Sequence, residues 1–299
     1  MSTETAQARR SQLFVPANRP KFVATADSKG ADAIILDLED SVPPQERDAA
    51  RIALFSAVRL LSKSHYVSVR VNKPFEVLIA DLDAAMPAKP AALVLPKVES
   101  ALEVSIIDAL MAERELQNGI ARGSTELQVL IETCLGLAKV LEIAQSSPRI
   151  VSLTLGVEDL AKELEVEPGA PDVDLSWAHS RVIMAARAAG VAPYGLLNSL
   201  SNFTNLTALA GDVRRSRAFG FVGAFCIHPA QVPVLNSGFA PSDEEIDHAR
   251  QVVAALEEAK RSGAASTALD GRMIDVPVAD RARRTLRRAD LLNQQANSS

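Results

Sequence analysis

Five short apolar runs in this chain end in ionisable or amide side chains, and those ends hold the residues able to do chemistry. The runs around Ile34, Val69 and Val94 end in Asp37-Leu38-Glu39-Asp40, Arg70-Val71-Asn72 and Pro96-Lys97-Val98-Glu99. Those around Val129 and Leu153 end in Glu132-Thr133 and Gly156-Val157-Glu158-Asp159. Glu132 and Asp159 close consecutive runs. Two carboxylates brought together suit a hard divalent cation, Mg2+ being the natural choice, that keeps waters and completes its shell with substrate oxygens. Acids after a strand also serve as helix N-caps or ion-pair partners, so both readings stand at this point. Arg70 can grip a carboxylate bidentately and offset charge on a neighbouring oxygen, or pair structurally with Asp37 or Glu39. Lys97 is either a Schiff-base lysine or an ion-pair partner of Glu99 or Glu39, and the surrounding carboxylates favour the pair. His228 reads as a hydrogen-bonded structural residue, and His65, His179 and His248 as surface residues.

The elements that must position these groups repeat along the chain. Strand-like runs fall at 12–15, 33–38, 67–71, 92–95, 127–131, 150–155, 191–197 and 223–227. They lack strict alternation, as expected of strands buried on both faces of a parallel sheet. Helical patterns fall between them at 19–29, 45–62, 74–86, 100–118, 136–145, 176–189 and 206–219. Eight strand–helix repeats predict a (β/α)8 TIM barrel, whose catalytic groups sit at the C-terminal ends of the strands. The open doubly wound alternative lacks its GxGxxG fingerprint. Residues 1–237 form the predicted barrel domain and 238–299 a C-terminal helical extension. That extension contains a charged helix over 243–261, a linker over 262–268, and a last helix ending near 292 with a frayed tail over 293–299.

Composition narrows the function further. The chain has 299 residues, 47% apolar and 23% charged, with a net charge of −5. That balance is ordinary for a globular protein with a sizeable core and gives no basic field for nucleic acid. No run of about 18 apolar residues and no secretory signal is present, so neither a membrane nor export is expected. The two cysteines lie far apart in apolar surroundings, which fits a reducing cytoplasm.

At this point the residues carry a resemblance. The runs Arg10-Ser11-Gln12-Leu13-Phe14-Val15-Pro16, Gly30 through Val42, Leu95-Pro96-Lys97-Val98-Glu99 and Gly156-Val157-Glu158-Asp159-Leu160 resemble those of the citrate lyase β-subunit-like family, in its CoA-ester lyase branch. Ile227-His228-Pro229-Ala230-Gln231 and Asp270-Gly271-Arg272-Met273-Ile274-Asp275 extend the match from about residue 10 to residue 290 in the same order. The resemblance implies a Mg2+-dependent carbon–carbon lyase, with Mn2+ a possible substitute. Such an enzyme acts on malyl-, citramalyl- or citryl-type CoA thioesters to give a 2-oxoacid and an acyl-CoA, usually as a homotrimer or hexamer.

Carried over residue by residue, the resemblance makes Glu132 and Asp159 the metal ligands, with Glu132 also on the substrate side. Arg70 becomes the substrate-carboxylate and oxyanion arginine, and Glu39 the acid that orients Arg70 or a metal-bound water. Phe14 and Arg19 fall near the thioester carrier. Asp275 becomes an acid that swings on the C-terminal segment over the neighbouring subunit's site. Two departures bear on the substrate. Amides stand at Asn198 and Asn202 where many relatives carry acids after strand seven, and Ala224-Phe225-Cys226 follows Gly223 where a lysine is common. Alternative functions are the β subunit of a citrate lyase complex acting on a citryl-carrier protein, a metal-dependent aldolase for free hydroxy-oxoacids, and a non-catalytic oxoacid-binding protein.

Overall fold

The computed structural model describes residues 6, 8–170, 173–199, 201 and 203–298. Two compact units are present, Met1–Ser237 and Gly238–Ser299. In the first, eight parallel strands are ordered β7-β6-β5-β4-β3-β2-β1-β8. They are β1 (Ser11–Pro16), β2 (Ala33–Asp37), β3 (Tyr66–Arg70), β4 (Ala92–Leu95), β5 (Glu126–Ile131), β6 (Ile150–Leu155), β7 (Ala192–Tyr194) and β8 (Ala224–Cys226). A parallel bridge between Tyr194 and Gly223 closes the ring, with Gly195 N–H donating to Gly223 O at 2.9 Å. The predicted eight-strand barrel is the observed fold.

Both faces of each strand are covered, which is why the strands read as unbroken apolar runs; every residue of β2, β4, β5 and β6 is buried. Inside the barrel, Ile35, Val94, Leu130 and Phe225 pack together with Phe14 against them. This apolar layer forms the floor beneath the strand-end residues.

Helices α1 (Pro20–Ala26), α2 (Arg47–Leu61), α3 (Phe75–Ala85), α4 (Ala101–Gln117), α5 (Cys134–Ala138), α6 (Val140–Ala144), α7 (Val157–Glu163), α8 (Ser176–Ala189), α9 (Leu206–Phe219) and α10 (Gln231–Phe239) follow the strands. Their stripes explain their docking: α2 buries Ala50, Leu54, Ala57, Val58 and Leu61, the three-and-four spacing of one helix face. Ser100 caps α4 by accepting the Glu103 N–H.

Four expectations differ from the structure. The single helix expected over 136–145 is two five-residue helices, because Lys139 breaks from helical geometry between them. Strand seven stops at Tyr194, where Gly195 takes φ 153° with the Phe221 ring against it. No helix was expected between β6 and residue 176, yet the seven-residue α7 forms there and buries Val157, Leu160 and Ala161 on one face. His179, expected at the surface, is fully buried on the inward stripe of α8 with Ala178, Val182 and Ala186.

The second unit holds α11 (Asp243–Arg261), the strands β9 (Thr267–Leu269) and β10 (Arg272–Ile274), and α12 (Val276–Ser298). Ser242 and Glu245 form a reciprocal capping box at the start of α11. The expected linker over 262–268 runs into an antiparallel hairpin. Its turn is Asp270-Gly271, both at positive φ (50° and 74°), the conformation that an Asp-Gly pair adopts in a two-residue hairpin turn. Helix α12 continues to Ser298, so residues 293–298, expected to fray, are helical. Ala249, Val252, Leu256, Ile274, Ala279 and Ala282 form this unit's core. Among the described residues, no helix is long and apolar enough to cross a membrane.

Candidate active site

The β2–β3 register places Asp37 directly beside Arg70. Parallel neighbours in register point to the same face, so the two side chains meet at the barrel mouth. Arg70 Nε and Nη2 donate to Asp37 Oδ1 and Oδ2 at 2.6 and 2.7 Å. Its Nη1 is shared by Glu39 Oε2 at 3.0 Å and Asp40 Oδ2 at 3.1 Å. The guanidinium lies 4.4 Å over the Phe14 ring, a stacking geometry suited to arginine. Three guanidinium hydrogen bonds are made, two to Asp37 and one to Asp40, while the Glu39 contact is an ion pair.

Asp37 is fully buried. Burial alone would push its carboxyl up. The Arg70 fork, the Ser41 hydroxyl and the Glu39 N–H outweigh that and hold it below the usual carboxylate range. The Asn72 side-chain N–H groups go to Leu38 O and to buried Asp81.

Glu132 follows β5 and is 6% exposed. Burial pushes its carboxyl up to about 7; the Lys97 charge works against this, while Glu39 and Asp159 add to it. Its Oε2 accepts the Lys97 backbone N–H at 2.9 Å. Asp159 lies in the first turn of α7, where the helix N-terminus favours an anion. Lys97 Nζ lies 2.9 Å from Glu39 Oε1, 3.4 Å from Asp159 Oδ2 and 3.9 Å from Asp40 Oδ1. Neither acid is a helix cap: Thr133 caps α5, and Gly156 precedes α7. Glu99 pairs with Lys73 at 2.9 Å instead of with Lys97.

Arg70, Glu132 and Asp159 share one cleft of about 250 Å3, whose wall also includes Phe14, Asp40, Thr154 and Asn198, while Glu39 and Lys97 line a second cleft that shares Asp40. The Thr154 hydroxyl there is buried and has no hydrogen-bond partner among the described residues. Sequence reasoning missed Thr154, the backbone role of Lys97, and Gly156. A Cβ on Gly156 would lie 2.4 Å from Glu132 Oε1. The sole sequence signal for that glycine was its place at the end of β6.

The remaining expected residues lie elsewhere. Arg19 is exposed and pairs with Glu46 at 3.1 Å, and it is not among the residues lining the cleft. Asp275 belongs to the second unit, where its Oδ1 accepts the Val278 N–H at 3.1 Å and caps α12. Asn198 is held by Asp212, which accepts from both its backbone and side-chain N–H groups. Asn202 lies outside the described residues. His228 is exposed, with Nδ1 accepting the Ala230 N–H and its ring stacked on Phe203.

A barrel whose mouth gathers carboxylates, one forked arginine and an orphaned hydroxyl is built as an enzyme for a small oxygen-rich anion. The chain belongs to the HpcH/HpaI aldolase/citrate lyase family, which it matches over residues 10–229, and is a carbon–carbon lyase. It is 36% identical over 285 residues to the citrate lyase subunit beta of Escherichia coli K12, covering 95% of this chain and 94% of that protein. It is 31% identical over 310 residues to an L-malyl-CoA/beta-methylmalyl-CoA lyase of Cereibacter sphaeroides, covering 96% of each. It also resembles the structure of CitE from Mycobacterium tuberculosis in complex with magnesium, acetoacetate and coenzyme A. There the TM-score is 0.74 at 31% identity, covering 94% of this chain and 97% of that one.

Proposed function

We propose that the chain cleaves a β-hydroxyacyl-CoA of the malyl, citramalyl or citryl type into an acyl-CoA, such as acetyl-CoA, and a 2-oxoacid. The observation that carries this is the gathering of Glu132, Asp159 and Arg70 in one cleft. Magnesium in a related structure supports Mg2+ as the cofactor, and Mn2+ as a substitute belongs to the same proposal.

The donor set fits such an ion. Among the described residues no cluster of three or more His, Cys, Asp or Glu ligands occurs. Mg2+ commonly takes one or two carboxylates and completes its shell with water and substrate. Gly156 leaves free the space that the Glu132 carboxylate uses, and the Thr154 hydroxyl offers a further polar atom in the same wall. When bound, the cation supplies Lewis acidity to the hydroxyl and carboxylate oxygens of the oxoacid half.

The chain's own residues do the rest. Arg70, fixed in orientation by Asp37, would offset the charge on the oxygen that gains it as the thioester enolate departs. Glu39 holds Arg70 and Lys97 in register. Phe14 and Arg19 attend the thioester carrier. Asp275, delivered by the C-terminal unit of an adjacent copy in a homotrimer or hexamer, exchanges the α-proton. A cytoplasmic location, to which the two free cysteines lend support, belongs to the same proposal.

Purified alone and given Mg2+, the chain should release an oxoacid and acyl-CoA from at least one such thioester. A second reading has one observation in its favour, the higher identity to the citrate lyase subunit than to the malyl-CoA lyase. Turnover that appears only with a carrier protein and partner subunits would establish that reading instead.

A further inference from the structure

Two residues after β4, Lys97 adopts φ 51°, in the left-handed region. Glycine takes that conformation without penalty and a long side chain does not. A lysine held there has work for both its backbone and its side chain. The turned backbone aims its N–H at Glu132 Oε2, 2.9 Å away, while its carbonyl accepts the Lys73 ammonium. The side chain carries its ammonium into the gap between Glu39 at 2.9 Å and Asp159 at 3.4 Å. One residue thus touches acids from the ends of β2, β5 and the β6–α7 turn.

We infer that Lys97 is the positioning residue of the cation pocket: its ammonium neutralises the pocket before loading and gives up Asp159, but not Glu39, to the incoming divalent ion. The inference rests on the reading of Glu132 and Asp159 as the ion's ligands. The unequal distances give the order of release, since the contact with Asp159 is the longer one. Asp159 is also more open, with 36% of its side chain exposed against 11% for Glu39. Carboxylates packed this closely hold Lys97 firmly in its charged form; burial opposes that and is outweighed, chiefly by Glu39. An ammonium this close to a ligand carboxylate repels a divalent cation and competes with it for Asp159. The backbone N–H to Glu132 survives the exchange and keeps that carboxylate aimed.

The test is a calorimetric titration of the full chain with Mn2+ in the absence of substrate. Lys97→Met keeps the stem and removes the charge, so it should bind Mn2+ about tenfold more tightly than the wild type, the direction set by losing a unit charge beside the ligands. Lys97→Gln, a second neutral variant for use if Lys97→Met does not fold, should do the same. Lys97→Arg should restore affinity to within about threefold of the wild type, because the charge is kept. Unchanged or weaker Mn2+ binding in the folded neutral variants would overturn the inference while leaving the metal reading intact. Wild-type binding that Glu132→Gln and Asp159→Asn leave unaltered would instead overturn the metal reading, and the inference with it.

Discussion

The Glu132 carboxylate occupies the space that a side chain at Gly156 would fill. A Cβ there would sit 2.4 Å from Glu132 Oε1 and 2.5 Å from its Cγ. Those atoms belong to a flexible side chain, so Gly156→Ala displaces the carboxylate rather than the backbone. The expected outcome is a folded protein with Mg2+ affinity reduced about tenfold, at the lower end of what moving a metal site's supporting contacts costs. Calorimetric titration alongside a thermal melt checks it, and wild-type affinity in the variant would contradict the assignment.

Arg70→Lys keeps the charge but loses the two-pronged pairing with Asp37. A lysine there has no fixed fork to present to a developing oxyanion. Activity, read as kcat/KM on an accepted thioester, should fall about 100-fold, the scale of losing one oriented oxyanion donor. Mg2+ affinity should stay within a few-fold of wild type.

Much of this was legible in the chain. All eight strands were, because strands covered on both faces leave unbroken apolar runs whose polar ends mark the mouth. Asp37, Glu39, Arg70, Lys97, Glu132 and Asp159 were visible as those ends. What escaped depended on three dimensions: Thr154 lies inside its strand, and Gly156 matters only because Glu132 passes over it. His179 escaped because one polar residue on an otherwise apolar stripe reads as the stripe's edge. The Asp270-Gly271 hairpin had a usable local signal in its turn pair, obscured by the Ala/Ser-rich stretch before it.

Arg149 marks a region where sequence change should alter stability and not catalysis. Its guanidinium donates to Glu115 Oε1 and Oε2 at 2.7 and 2.6 Å and to Asp108 at 2.6 Å, all beside the start of β6. Glu115 is fully buried and also accepts the Gly123 and Thr125 N–H groups. Arg149→Ala strands that carboxylate and should cost about 3–5 kcal/mol in a denaturant melt, the usual result of removing one partner of a buried pair. The kcat of the folded fraction should be unchanged, because this end of the barrel is opposite the mouth.

His179 gives the stability a pH dependence with a definite sign. Burial lowers its pKa to about 4 from 6.5, partly offset by its contact with Leu197 O. The unfolded chain therefore binds a proton between these values that the folded chain does not, so stability is full above pH 6.5 and falls as pH drops toward 4. Linkage puts the loss at about 2 kcal/mol by pH 5. Glu132, raised to about 7, contributes over the same range with the opposite sign, so the test is the comparison of variants. Urea melts at pH 7.5 and 5 should show His179→Phe gaining about 2 kcal/mol at pH 5 relative to its value at pH 7.5, measured against the wild type at the same two pH values.

The central claim concerns two carboxylates and one ion, so the most direct measurement is a crystal soaked with Mn2+ and an oxoacid, read from its anomalous signal. A single peak within coordination distance of an oxygen of both Glu132 and Asp159, close to the roughly 2.1 Å of a Mg2+ site, with oxoacid oxygens beside it and Arg70 facing them, is the expected result. An ordered oxoacid in the cleft with no ion shared by those two residues would contradict the account.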